Sequence, residues 1–124
     1  MLYQIIYFAN ILIAGIVGIF CLFSPSKAKE AVFQNVFVES EAFRITGAFW
    51  TAIAILSALG LIWPQQFVFI FLIQLIYKAL WLLFGALPKL FNKKTQEIPQ
   101  GMAFFFLVYV LFLPFVIPFS RFFQ

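Results

Sequence analysis

The sequence predicts an all-α fold, an integral membrane four-helix antiparallel bundle. Three observations carry this expectation. Of the 124 residues 65% are hydrophobic and 10% charged, whereas a soluble domain averages roughly 45–50% apolar and about 25% charged residues. The chain holds 20 Phe, more apolar surface than a water-soluble core of this length would bury. Long apolar runs alternate with short polar segments, and each run reaches the about 20 residues that a helix needs to cross a bilayer. The whole chain reads as a single transmembrane domain.

The first span covers about residues 2–23 and is closed by SPSKAKE, where Pro25 and three charges stop it. It lacks a basic leading segment and is too long for a cleaved signal peptide, so it reads as a retained span. The second covers about 40–63 and is ended by Pro64. The third, about 66–87, is ended by Pro88. The fourth covers about 101–119, with Pro114 and Pro118 expected to kink or fray its last turns. The linker WPQQF makes spans two and three an antiparallel hairpin of neighbouring helices. The other two connections, about 24–39 and 88–100, carry nearly all the charge. Within the first of them, AKEAVFQNVFVE fits either a short interfacial helix or a plain linker.

The lysines give an orientation. Lys27, Lys29, Lys89, Lys93 and Lys94 fall in the two charged connections, which four antiparallel spans place on one side. The other side holds Arg121, the N-terminal amine and the aromatic anchors Tyr3 and Trp63. The positive-inside rule then puts the charged loops in the cytoplasm and both termini outside, in a multi-pass protein of the cell's inner (plasma) membrane. The net charge of +4 has no aromatic-plus-basic pattern for nucleic acid around it.

Polar groups inside a membrane belong on the bundle interior, because a lysine or arginine at a helix centre costs about 2.5–3.5 kcal/mol on insertion scales. The polar residues line up accordingly. Gln74, Lys78, Trp81 and Gly85 share one face of span three. Ser40, Arg44, Gly47, Thr51, Ala54 and Ala58 form a small and polar stripe on span two. Tyr3, Tyr7, Asn10, Ala14, Gly18 and Cys21 do the same on span one. Such faces let helices approach closely. Counting rise per residue puts Lys78 roughly 15 Å above the cytoplasmic end of its span, level with a polar layer of Asn10, Thr51, Gln74 and Tyr109. Glu39 and Glu41 sit at the cytoplasmic mouth beside Arg44.

Two readings of Lys78 follow. In one, Lys78 and Arg44 make an electropositive slot for an apolar ligand with an anionic or carbonyl head, such as a quinone, a lipid headgroup or a fatty acid. In the other, Lys78 is neutral or solvated by Asn10, Gln74 and a water, and fixes the helices in register. Arg44 also has a plain structural reading, snorkelling to headgroups or pairing with Glu41 or Glu39.

Several function classes are excluded. The sequence has no His, which removes the usual zinc clusters and every Ser-His or Cys-His nucleophile. Cys21 is the only cysteine, so no intrachain disulfide forms. No phosphate-binding loop, dinucleotide fingerprint or metalloprotease motif occurs, and no motif specifies a cofactor or catalytic residue. Gly15 and Gly18 lack the spacing of a helix-dimer motif, so no oligomer follows from them. A non-enzymatic role is expected: a binding module for a quinone or lipid-like ligand, or an accessory subunit packed against a larger membrane protein. A minimal transporter or proton relay is the alternative.

The run GIFCLFSPSKA…ESEAFRITGAFWTAIAILSALGL resembles the DoxX-like superfamily of small four-helix membrane proteins. Those proteins tend to have a Pro after the first span and an acidic-x-x-Arg-x-x-Gly pattern opening the second, here Glu41, Arg44 and Gly47. QLIYKALWLL, followed by Pro88, is similar to short bacterial membrane proteins of the same shape. The resemblance implies the four-helix architecture. It also implies a link to quinone chemistry or to assembly of other membrane proteins, because the namesake is a subunit of a thiosulfate–quinone oxidoreductase and animal relatives are assembly factors.

Overall fold

In the computed structural model, which describes residues 2–122, the chain is helical, with no strand among the described residues. The elements are α1 (Leu2–Phe23), α2 (Pro25–Ala31), α3 (Glu41–Ile62), α4 (Phe69–Trp81), a π-helical turn (Leu82–Ala86), α5 (Leu87–Phe91), a 3-10 turn (Thr95–Glu97), α6 (Gln100–Val116) and α7 (Phe119–Phe122). Three helical stretches are long and apolar enough to cross a membrane: Leu2–Phe23, Glu41–Ile62 and the continuous rod Phe69–Phe91. Helix α6 is apolar but shorter, at 17 residues.

Local signals set most of the boundaries. Ser40 caps α3, its hydroxyl oxygen accepting from the Ala42 amide, and Glu41 in the first turn suits the helix dipole. Pro25 ends α1 and opens α2 at a position where its missing N–H costs nothing. The segment after α1 is half helix and half turn: α2 stops at Ala31, and Gln34 and Asn35 take left-handed φ values of 50° and 60°. The Asn35 amide then reaches back to the Lys29 carbonyl, closing the helix end.

One expectation about a proline needs correction. Pro88 does not end the third rod, which continues to Phe91. A proline ring crowds the carbonyl four residues earlier, here that of Phe84. The chain absorbs this with the π turn, in which the Leu87 amide bonds to Leu82 five residues back. Pro114 lies inside α6, whose last turn ends at Val116, short of residue 119, and Pro118 precedes α7.

The helices pack as two antiparallel pairs. Helix α1 lies along α3, and their backbones touch: a Cβ added to Gly47 would sit 2.5 Å from the Leu22 nitrogen and 2.7 Å from the Gly18 carbonyl oxygen. Helix α4 lies against α6 through Tyr77, Trp81 and Phe106. The hairpin partners α3 and α4, expected as neighbours because of their short linker, scarcely touch. The linker fixes their ends, while the small residues decide the packing, and these lie on α1 and α3.

The pairs meet in three levels. Tyr7, Val68, Phe71, Leu113 and Ile117 form an apolar cluster near the α3–α4 linker, where the Tyr7 hydroxyl donates to the Pro64 carbonyl at 2.7 Å. A second cluster, including Trp50, Phe33, Phe43 and Phe106, gathers toward the α1–α2 end. Asn10, Ser57 and Gln74 are buried between them along the helices. The outside is aliphatic and aromatic, with Ile5, Phe8, Leu12, Ile16 and Ile19 exposed along α1 alone.

Candidate functional site

The polar layer is built on α1 and α4. One helical face of α4 buries Ile70, Phe71, Gln74 and Lys78, and one face of α1 buries Tyr7, Asn10, Ala14, Gly18 and Cys21. Where the faces meet, Asn10 and Gln74 pair their carboxamides in both directions, at 2.8 and 3.0 Å. Asn10 also donates to the Ser57 hydroxyl at 3.2 Å and accepts from the Tyr109 hydroxyl at 2.9 Å. One asparagine therefore joins α1, α3, α4 and α6. A buried amide left unpaired costs about 1–3 kcal/mol, so this closed network stabilises one helix register over its alternatives.

Lys78 lies one turn further along α4, 5% exposed. Its amine donates to the Tyr77 hydroxyl and stands over three rings, at 4.2 Å from the centre of Tyr77 and 4.9 Å from those of Phe106 and Tyr109. Contacts with ring faces favour a cation by about 0.5–2 kcal/mol each, so this aromatic box offsets part of the cost of burial. All four glutamates, Glu30, Glu39, Glu41 and Glu97, are exposed, and none faces the amine. An ammonium carries three donors, of which one is used among the described residues.

Beside the amine is a cavity of about 130 Å³, reached by Asn10, Gln74, Tyr77, Lys78 and Tyr109 on its polar side and by Ile13, Ala14, Val17, Trp50 and Phe106 on its apolar side. An apolar cavity of about 150 Å³ admits a benzene ring, so the space matches one ring-sized or carboxylate-sized head. A larger apolar groove of about 650 Å³ runs along the gap between α3 and α4. Trp50, Tyr77, Met102 and Phe106 border both spaces and form the wall between them.

The structure brings together Asn10, Gln74, Lys78 and Tyr109, as the sequence suggests. It separates the rest. Arg44 is exposed and pairs with Glu41 at 3.5 Å, so it does not enter the slot with Lys78. Glu39 is exposed beside Glu41. Trp81 borders the groove, edge-on to Phe106 at 5.3 Å, and not the cavity. Thr51 packs at the Gly18 crossing with its buried hydroxyl unpaired, while Ser57 takes the place expected for it in the polar layer. The two lie six positions apart, about 9 Å along a helix, which is the error of levelling spans by loop position alone.

Ser57, Tyr77 and Phe106 are site residues that the sequence pattern does not single out. Ser57 follows Ala54 by three positions, where the stripe Gly47–Thr51–Ala54–Ala58 continues by four. Among the described residues no group of three or more His, Cys, Asp or Glu side chains is placed to hold a metal ion. Comparison with protein-family models, with curated proteins and with solved structures returned no match.

Proposed function

We propose that this is a multi-pass, four-helix membrane protein without enzymatic activity that binds an apolar ligand through a carbonyl or acidic head, held by Lys78. The observation that carries this reading is a buried amine with no carboxylate partner among the described residues, boxed by Tyr77, Phe106 and Tyr109 and bordering a head-sized cavity. A purely structural lysine would be expected to pair with a chain carboxylate or carbonyl. Lys78 instead keeps donors for an oxygen that comes from outside the chain. A quinone carbonyl or a fatty-acid carboxylate is the matching chemistry. In this reading α6 is the fourth span, the lysine-rich loops face the cytoplasm of an inner membrane and both termini face out. The DoxX-like pattern of Pro25, Glu41, Arg44 and Gly47 supports the same architecture.

A second reading, as accessory subunit of a larger membrane protein, is favoured by one feature. Helix α6 exposes Phe104, Phe105, Phe112 and Phe115, an aromatic outer face suited to packing against another helix. The relay alternative has less support, because no carboxylate borders the cavity to pass a proton.

Trp50 reports on the cavity directly, since it borders it. With Trp63 and Trp81 changed to Phe, titration with a short-chain benzoquinone should quench Trp50 fluorescence saturably, and Lys78→Met should remove the saturable part. A saturable quench unchanged by Lys78→Met would refute the assignment of the amine as anchor. If only linear quenching appears, a medium-chain fatty acid tested by competition or tryptophan shift decides whether the head is acidic; no response to either probe contradicts the binding reading.

A further inference from the structure

We propose that Gln34 is the latch on the mouth of the Lys78 cavity, and that the ligand enters and leaves there, between the turn after α2 and the start of α6. This deepens the ligand-binding reading above and rests on it for its biological meaning. The cavity extends along α6 from Tyr109 to Gly101, about 12 Å at 1.5 Å per residue. Its inner end is closed by the mutual hydrogen bonds of Asn10, Gln74 and Tyr109. Its α3 side is walled by Trp50, Tyr77 and Phe106. At the remaining end the lining residues are Ala31, Val32, Gln34 and Gly101, of which Ala31 and Gln34 are exposed, while Ile13, Val17 and the exposed Phe105 line the side between α1 and α6.

The Gln34 carboxamide spans this opening. Its nitrogen donates to the Ala31 and Val32 carbonyls at 3.3 and 3.0 Å, on the α2 side. Its oxygen accepts from the Gly101 amide at 3.3 Å, in the first turn of α6. This is one side chain tying residues 67 positions apart, over the end of the cavity that lies toward the charged loops. The bonds to Ala31 and Gly101 are long and exposed, and that to Val32 is only part-buried, so the latch is exchangeable with water. The backbone at Gln34 has φ 50°, a conformation that Gly and Asn adopt more readily than Gln. Gly101 is matched to the latch: a Cβ there would lie 3.2 Å from Gln34 Nε2. A latch held by weak bonds can open without disturbing the buried network beneath it.

The test uses the full chain in detergent, with Cys21→Ala as background and Ala14→Cys as reporter, since Ala14 borders the cavity and not the groove. Val17→Cys serves as a second reporter on the same wall. The rate of modification by a small anionic methanethiosulfonate is measured with Gln34, Gln34→Gly and Gln34→Asn. Both substitutions suit the backbone at this position, so folding is kept, and asparagine retains the amide on an arm one methylene shorter. The expected result is a several-fold faster reaction in both variants, and a smaller rise for Gly101→Ala. Equal rates in all of them would overturn the proposal. So would a rise seen only with Tyr77→Ala, which would place entry at the α3–α4 groove. Labelling needs no ligand, so the route and the binding reading can fail separately.

Discussion

Asn10 and Gln74 face each other across α1 and α4 with their carboxamides paired, nitrogen to oxygen in each direction at 2.8 and 3.0 Å. The pair sits in the buried layer between two apolar clusters and takes in Ser57 and Tyr109 through the same asparagine. In a lipid environment no water competes for these groups, so the register that pairs them is favoured over any that strands them.

Removing one member should therefore cost more than removing both. Asn10→Ala strands the Gln74 amide and the Tyr109 hydroxyl and is expected to destabilise the fold by about 1–3 kcal/mol. The double change Asn10→Leu with Gln74→Leu should lose less than the single one. Unfolding in mixed micelles of rising SDS fraction measures both. Interhelical hydrogen bonds in membranes average only about 0.6 kcal/mol when partners are replaceable. A single-variant loss no larger than that would show that the network sets no register.

The glycines of α1 and α3 give a second, steric prediction. A Cβ at Gly47 would meet the Leu22 nitrogen and the Gly18 oxygen, both backbone atoms that cannot step aside. Gly47→Ala should cost about 1–3 kcal/mol, the usual penalty of overpacking. Gly15, one turn from Gly18, meets only the Ala54 Cβ at 3.6 Å. Gly15→Ala should be neutral or stabilise by up to about 1 kcal/mol, since alanine is the better helix former. Equal effects at the two sites would contradict the close α1–α3 crossing.

Arg44 carries a prediction of no effect. Its ion pair with Glu41 is exposed on both sides, and such pairs contribute about 0–1 kcal/mol. Arg44→Gln should change stability by less than about 0.5 kcal/mol and leave ligand retention by Lys78 intact. Loss of retention in this variant would return Arg44 to the site.

The sequence makes α1 legible because its interior face differs in kind from its exterior. Tyr7, Asn10, Ala14, Gly18 and Cys21 recur at helical spacing among Leu, Ile and Phe, and these five are the buried ones. Gln74 and Lys78 are legible for the same reason. Helix α3 is harder to read. Its interior includes Phe43, Trp50 and Ile53, residues as apolar as its outer side, so the small-residue stripe misplaces Arg44 and Ala58, which are exposed, and sets Thr51 in the layer that Ser57 occupies. Pro88 misleads because the π turn before it is a backbone response that residue type alone does not encode. The pairing of α1 with α3 and α4 with α6 is hidden by a short linker that holds α3 and α4 together in sequence but not in packing.

The central claim is that Lys78 anchors a ligand from outside the chain. Native mass spectrometry of the protein extracted from membranes in mild detergent, wild type beside Lys78→Met, tests it most directly. The account predicts a discrete adduct on the wild type, with the mass of a quinone or a fatty acid, that is lost in a variant which remains folded. A bare wild-type protein, or an adduct equally retained by Lys78→Met, would contradict it and leave Lys78 as a structural residue.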